Sequence, residues 1–217
     1  MSGDWAAVDA FVADQLLGDD PALDAALARN AAEGLPTIDV APVQGKFLNL
    51  VARMTGARRI LEVGTLGGYS TIWLARALPE GGMLTTLELD AHHAEVARAN
   101  LADAGLAGRA EVIVGPAIES LARVEGPFDL VFIDADKASN ADYVRAVLDR
   151  SRSGTVIIVD NVVRDGHVLD TASTDPAIVG TRRLFQTVAS EHRLAATALQ
   201  TVGAKGWDGF LIAIVEG

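Results

Sequence analysis

Short apolar runs alternate with amphipathic stretches along most of this chain. From residue 58 onward the runs are rich in Val, Ile and Leu and predict strands, whereas the stretches between them have helical periodicity. This alternation is typical of an α/β domain built on a parallel sheet. The predicted strands lie near residues 58–64, 83–89, 110–115, 128–134, 154–160, 194–201 and 208–215. The predicted helices lie near residues 69–79, 91–104, 116–123, 138–150 and 176–190.

The pattern before residue 58 is helical throughout. Three helices are predicted, near residues 4–17, 21–33 and 42–55. We therefore expect residues 1–57 to form an N-terminal helical extension that packs on the same domain, and residues 58–217 to form the α/β domain itself. The expected fold is Rossmann-like and doubly wound, with a seven-stranded, mostly parallel sheet and helices on both faces. The alanine-rich helices of the extension either pack only on their own sheet or contact a second subunit, and we favour a homodimer.

Composition narrows the class of protein. The 217 residues fit one domain of this kind. The absence of cysteine excludes disulfides and thiolate metal sites, and the net charge of −11 argues against nucleic acid as a partner. No run approaches the roughly 20 apolar residues of a membrane span, and the acidic start of the chain is unlike a secretory signal. These features predict a cytoplasmic protein whose partner is neither a membrane nor a nucleic acid.

A glycine-rich turn follows the first predicted strand, in the segment ILEVGTLGGYS. Glycines 64, 67 and 68 allow a ligand to approach the backbone closely. Their spacing differs from the G-x-G-x-x-G dinucleotide fingerprint, and Glu62 is expected within the loop, where its carboxylate would repel a pyrophosphate. A carboxylate is instead favourable beside the sulfonium and ammonium groups of S-adenosylmethionine. The turn therefore favours S-adenosylmethionine over a nicotinamide cofactor.

Two acids follow the second predicted strand. Glu88 lies where Rossmann-like folds place the acid that binds ribose hydroxyls, and we expect it to hold the adenosine ribose. Asp90 is the competing candidate, but its position before AHHAEVARAN favours a helix N-cap.

Polar residues also end the fourth and fifth predicted strands. Asp134 follows FDLVFI, and the pair Asp160 and Asn161 follows GTVIIV. Because the carboxyl ends of parallel strands form the ligand edge of an open α/β sheet, these side chains are expected to lie together. Two carboxylates and an amide oxygen suit Mg²⁺ better than zinc. The alternative is that these acids only cap the following segments.

The chain resembles the metal-dependent O-methyltransferases that include the caffeoyl-CoA and catechol enzymes. The resemblance covers residues 38–217, through the motifs EVGTLGGYS, LELD, GPA, FIDADK, VDN and VGAKGWDGF in order. It implies a set of residues that contact S-adenosylmethionine, a set that holds the metal, and a vicinal-dihydroxy aromatic acceptor. The implied cofactor-binding residues are Val40, Glu62, Gly64, Thr65, Ser70, Glu88, Ala117 and Asp134. The implied metal ligands are Asp134, Asp160 and Asn161.

The same resemblance assigns catalytic roles to Asp134, beside the substrate, and to Lys137. Lys137 matches the lysine regarded as general base in the catechol-type enzymes. Near a divalent cation and partly removed from water, its neutral form is favoured and accepts a phenolic proton. The alternative is a salt bridge to Asp136 or Asp160. With the metal orienting the acceptor, methyl transfer is a direct displacement that leaves S-adenosylhomocysteine.

Arg164 departs from the family pattern, because many relatives carry an aromatic residue near this position. It either pairs with a carboxylate on the substrate or covers the loop of residues 162–175. His167 is a candidate for the rim of the site. The remaining candidates are expected to be surface residues (His92, His93), core residues (Trp73, Phe132), or residues that shape the cleft or a dimer contact (Trp207, Phe210).

Two other functions compete with the methyltransferase. A noncatalytic protein that only binds S-adenosylmethionine would not need Lys137 or the acids at the strand ends. An NAD-dependent oxidoreductase is disfavoured by the glycine spacing.

Overall fold

One seven-stranded sheet forms the centre of the computed structural model, which describes residues 4–217. Its strands are β1 (Arg59–Val63), β2 (Met83–Glu88), β3 (Ala110–Val114), β4 (Phe128–Ile133), β5 (Ser151–Asp160), β6 (Leu194–Gly203) and β7 (Gly206–Val215). Their order across the sheet is β3-β2-β1-β4-β5-β7-β6. The first five strands pair in parallel, and β7 runs antiparallel between β5 and β6. The predicted Rossmann-like, mostly parallel sheet is confirmed.

Eight α-helices accompany the sheet within the described part of the chain. They are α1 (Trp5–Leu16), α2 (Pro21–Ala32), α3 (Pro42–Met54), α4 (Tyr69–Ala77), α5 (Ala91–Asp103), α6 (Ala117–Leu121), α7 (Asn140–Leu148) and α8 (Pro176–Ser190). The helix predicted over 138–150 is divided, because the Asp136 carboxylate accepts the Ser139 N–H and caps a short 3₁₀ turn before α7. Among residues 4–217, no helix is long and apolar enough to span a bilayer.

Both faces of the sheet are buried under helices. Successive strand residues point to opposite faces, so Ile60 of β1 belongs to one apolar core and Leu61 to another. The first core joins Ile60 to side chains of α2, α3, α4 and α5. The second joins Leu61 to α6, α7 and α8. This arrangement confirms the doubly wound fold and explains why its strands are apolar on both sides.

The N-terminal helices differ in how they pack. Leu48 and Ala52 of α3 lie in the same core as Leu74 of α4. By contrast, α1 contains no buried residue, and its Asp9 carboxylate accepts the N–H of Ala204 in the β6–β7 turn at 2.8 Å. The extension therefore contacts its own domain. The domain boundary after residue 57 and the homodimer stay predictions.

The carboxyl ends of β1 and β4 approach each other closely. The Asp134 N–H donates to the Val63 carbonyl at 2.8 Å, and Gly64 has φ +99°. A Cβ at Gly64 would lie 2.2 Å from the Asp134 carbonyl oxygen. Only glycine fits at this position, and its absent side chain brings the glycine turn and the end of β4 to one place.

Candidate active site

Two cavities open along the carboxyl edge of the sheet. The larger, of about 700 Å³, contains the turn after β1 and the ends of β2 and β4, and we call it the glycine-loop cavity. The smaller, of about 350 Å³, lies between α3 and the β6–β7 turn, and we call it the hairpin cavity. Both cavities are lined by Val40, Asp134 and Asn161, so they meet at the ends of β4 and β5.

Most of the residues that the sequence assigned to the cofactor lie together. The glycine-loop cavity is lined by Val40, Gly64, Thr65, Ser70, Glu88, Ala117 and Asp134. Most of these residues are distant from one another in the chain, and the fold brings all of them to the lining of one cavity. The exception in the predicted set is Glu62.

Glu62 is not in the loop, contrary to the sequence prediction. It belongs to β1 and is completely buried, with its carboxylate accepting hydrogen bonds from the hydroxyls of Ser70 (2.6 Å) and Thr71 (2.5 Å). It lines neither cavity. Burial raises the pKa of Glu62 to about 7, although the two hydroxyls oppose the shift. In this structure Glu62 orients Ser70 from behind the cavity wall.

This buried carboxyl predicts a pH-dependent stability. Since its folded-state pKa exceeds the unfolded value, the unfolded chain loses this proton first, and the free energy of unfolding falls as pH rises from about 4.5 to about 7. We expect the fall to be smaller by up to ~3 kcal/mol in Glu62→Gln. Denaturant unfolding between pH 4.5 and 8 measures it, with exposed Glu95→Gln as the matched control. Identical pH profiles for wild type and Glu62→Gln would exclude this account.

Glu88 organises the glycine turn. One carboxylate oxygen accepts the N–H groups of Thr65 (3.1 Å) and Leu66 (2.8 Å), and the other accepts the Asp90 N–H (2.9 Å). The side chain is 8% exposed and lines the glycine-loop cavity. Glu88 therefore fixes the shape of the turn in addition to any contact with a ligand. His93, expected at the surface, is half-buried in the same cavity, 3.6 Å from the Glu88 carboxylate.

Asp90 caps α5 as predicted. Its carboxylate accepts the N–H of His92 and, at longer distance, that of His93. This role leaves Glu88 as the acid that faces the cavity at the end of β2.

An ion pair lies just beyond β4. The Lys137 Nζ is 2.5 Å from a carboxylate oxygen of Asp134, and the lysine side chain is 11% exposed. The alternative salt bridge of Lys137 with Asp136 or Asp160 is not formed. Instead the Tyr143 hydroxyl donates to Asp136. Lys137 lines the glycine-loop cavity and not the hairpin cavity, whereas its partner Asp134 lines both.

Asp160 ends β5 in a buried position on the hairpin cavity. Its carboxylate accepts the side-chain amide of Gln44 at 2.7 Å and the N–H of Asn161 at 2.9 Å. Burial raises the pKa of Asp160 to about 7, and the neighbouring Asp134 carboxylate adds to this shift, while Lys137 opposes it. Two carboxylates that destabilise each other in this way suit a bound cation.

The donor set for a metal is small. Among residues 4–217 there is no group of three or more His, Cys, Asp or Glu side chains arranged for a metal ion. A metal at this edge would rely on Asp134, Asp160 and the amide of Asn161, all of which line the hairpin cavity. Such an all-oxygen set with few protein ligands fits Mg²⁺, which keeps several waters or substrate oxygens.

The other predicted residues divide between core and cavity. Trp73 and Phe132 are buried, as expected for core residues. Phe210 lines the hairpin cavity, with its ring centroid 4.9 Å from that of Phe47. His167 is exposed and lines neither cavity, so the structure gives it no place in the site. Arg164 lines the glycine-loop cavity.

Gln44 and Tyr143 are site residues that sequence reasoning missed. Gln44 lies in the first turn of α3, whose pattern identifies a helix but not its contact with a strand 116 residues away. Tyr143 follows the core periodicity of α7, and its hydroxyl reaches Asp136 from that buried position.

Comparison with known proteins agrees with this geometry. The family model described as O-methyltransferase matches residues 18–211. A catechol O-methyltransferase of Mycobacterium tuberculosis is 54% identical over 96% of this chain and 95% of its own length. A second catechol O-methyltransferase, from Niastella koreensis, is 48% identical over 96% of both chains. The crystal structure of an O-methyltransferase from Bacillus cereus, in complex with SAH, superimposes over the full length of both chains with a TM-score of 0.97 and 52% identity. This chain belongs to the O-methyltransferase family.

Proposed function

We propose that this protein transfers the methyl group of S-adenosylmethionine to a hydroxyl of a vicinal-dihydroxy aromatic molecule, assisted by a divalent metal ion. The observation that carries the proposal is the meeting of Asp134, Lys137 and Asp160 where the two cavities join. The names of the two catechol O-methyltransferase relatives support the acceptor class. The complex of the Bacillus cereus enzyme supports the cofactor.

The glycine-loop cavity is the proposed cofactor site. Glu88 would accept hydrogen bonds from the ribose hydroxyls, and Ala117 would lie against the adenosine. At Gly64 and Thr65 the cofactor could approach the backbone closely. Ser70 lies in the first turn of α4, where the carboxylate of the cofactor would be favoured. The Asp134 carboxylate would then face the sulfonium, which is stabilised by a nearby negative charge.

The metal is proposed to be Mg²⁺, held by Asp134, Asp160 and Asn161. When bound, such an ion polarises and orients two neighbouring hydroxyl oxygens. The Gln44 amide holds the Asp160 carboxylate in one orientation. Because Asp160 is buried and Asp134 is near, a cation relieves the unfavourable charge that raises the Asp160 pKa.

Lys137 is the proposed proton acceptor. It lies in the cavity that would hold the cofactor, with its Nζ 2.5 Å from the Asp134 carboxylate. In its neutral form the Nζ takes the proton of the acceptor hydroxyl. The oxygen then forms a bond to the methyl carbon as the carbon–sulfur bond breaks, which gives the methyl ether and S-adenosylhomocysteine.

A homodimer and a cytoplasmic location complete the proposal. The exposed apolar side chains of Val8, Phe11 and Leu16 on α1 favour a second subunit over a solvated helix.

Replacement of Lys137 distinguishes a catalytic role of this residue from a role in cofactor binding alone. We expect Lys137→Met to lower kcat for a catechol by at least about 100-fold, because the proton acceptor is lost. Lys137→Arg is the matched variant, since it keeps a cation beside Asp134 but cannot accept the proton. Steady-state kinetics with Mg²⁺ and calorimetric titration with S-adenosylhomocysteine separate the effects. Turnover by both variants within threefold of wild type would remove Lys137 from the chemistry.

A further inference from the structure

Arg164 places a cation without a partner in the glycine-loop cavity. Its Nε is buried and has no hydrogen-bond partner among residues 4–217. The guanidinium takes part in none of the ion pairs found in that part of the chain. Buried donors are ordinarily satisfied, because an unpaired one has lost its water without replacement. Since Arg164 lines this cavity and its guanidinium has no ion-pair partner in the described part of the chain, an anionic ligand in the cavity would supply one.

The backbone at Arg164 is held in an unusual conformation. Arg164 and Asp165 have φ values of +58° and +54°, which residues other than glycine rarely adopt. One oxygen of the Asp208 carboxylate accepts the N–H groups of Val163 (2.9 Å) and Arg164 (3.0 Å), and the Asp165 N–H donates to the Trp207 carbonyl. Contacts from β7 thus fix the place from which Arg164 enters the cavity. Such strain is typical of positions that serve a ligand.

The order of the strands places Arg164 at the β5 end of the glycine-loop cavity, near Asn161, which also lines the hairpin cavity. Glu88 and Ala117, the proposed adenosine contacts, follow β2 and β3. Along the same edge come β1, then β4 with Lys137 after it, and then β5 with Arg164 after it. A cofactor that extends from β3 to Asp134 would present its methyl group toward the β4–β5 end. An acceptor that reaches Lys137 from the junction of the two cavities would then lie between the methyl group and Arg164.

We propose that Arg164 binds a carboxylate on the acceptor, so that the preferred substrates are dihydroxy-aromatic acids rather than neutral catechols. A guanidinium pairs with a carboxylate through two parallel hydrogen bonds, which are stronger than hydrogen bonds between neutral groups. The inference rests on the proposed function and deepens it, because it names the chemical class of the acceptor. Arg164 is in this account a specificity-determining residue.

The test compares 3,4-dihydroxybenzoate with 3,4-dihydroxybenzamide, a neutral molecule of nearly the same shape. kcat/KM is measured for both with Mg²⁺ and saturating S-adenosylmethionine, in wild type, Arg164→Gln, Arg164→Lys and the exposed control Arg123→Gln. We expect Arg164→Gln to lower the acid-to-amide ratio of kcat/KM by about 10- to 100-fold, the range of a charge-assisted hydrogen bond. Arg164→Lys should recover part of the ratio, and Arg123→Gln should leave it unchanged. The ratio between variants cancels the different intrinsic reactivities of the two acceptors.

An unchanged acid-to-amide ratio in Arg164→Gln would overturn the inference while leaving the proposed function intact. A loss of S-adenosylhomocysteine affinity that accounts for the whole effect would overturn it as well, since Arg164 would then serve the cofactor. Failure of the wild type to methylate either acceptor is a different result and contradicts the proposed function itself.

Discussion

Asp160→Asn is expected to reduce methyl transfer to a catechol by at least about 100-fold while leaving the affinity for S-adenosylhomocysteine nearly unchanged. The carboxylate lines the hairpin cavity and not the glycine-loop cavity, so its loss is expected to affect the proposed acceptor and metal sites. A metal ion supplies several kcal/mol to a developing charge, and each 1.4 kcal/mol is a factor of about ten in rate. Asparagine keeps the shape without the charge, and its single amide oxygen accepts one of the two hydrogen bonds that the carboxylate accepts from Gln44 and Asn161. Steady-state kinetics and calorimetric titration give the two readouts.

Asp149→Asn is the matched control for this variant, because Asp149 is exposed at the end of α7. It should behave as wild type in both measurements. Equal losses of turnover and cofactor affinity in Asp160→Asn would contradict separate sites for the two ligands. Thermal unfolding of the variant without metal should show no loss of stability, since removal of a carboxyl with a raised pKa relieves buried charge.

Glu88→Ala has the largest expected effect on the cofactor. The substitution removes the acceptor for three backbone N–H groups and the proposed partner of the ribose hydroxyls. We expect S-adenosylhomocysteine to bind about 30- to 150-fold more weakly, which corresponds to about 2–3 kcal/mol for lost charge-assisted hydrogen bonds. Calorimetric titration of the folded variant at several temperatures below its unfolding transition measures this change.

Glu111→Ala, at an exposed position of β3, is the control for Glu88→Ala and should leave the affinity unchanged. Glu88→Gln should give an intermediate loss, because its amide oxygen accepts only part of the hydrogen bonds of the carboxylate. Normal affinity in Glu88→Ala would show that Glu88 only shapes the free turn and does not contact the cofactor.

The architecture was predictable because each strand of this fold is an apolar run between polar turns. The seven strands and their order of appearance followed from that pattern, and the helix over Pro176–Ser190 matched its predicted bounds. The last residues of β6 and the first residues of β7 were not predicted, because both strands extend to a tight turn at residues 203–206. The 3₁₀ turn that precedes α7 depends on a side-chain cap, which the spacing of apolar residues does not predict.

The site was partly predictable for a related reason. Asp134, Asp160 and Glu88 were found because they end strands, and strand ends share one edge. Glu62 was placed wrongly, since the strand includes it and the hydroxyls that bury its carboxylate lie on a helix eight and nine residues later. The role of Gln44 and the surroundings of Arg164 depend on contacts between segments far apart in the chain. The spacing of residues within one segment does not predict such contacts.

Transfer of a labelled methyl group to a catechol is the decisive measurement for the proposed activity. The wild-type protein is incubated with S-adenosylmethionine carrying a labelled methyl group and with 3,4-dihydroxybenzoate, either with Mg²⁺ or with EDTA, and the products are identified by mass spectrometry. We expect a labelled monomethyl ether and one equivalent of S-adenosylhomocysteine with Mg²⁺, and loss of both products with EDTA. Binding of S-adenosylhomocysteine without transfer to this or any other catechol would contradict it.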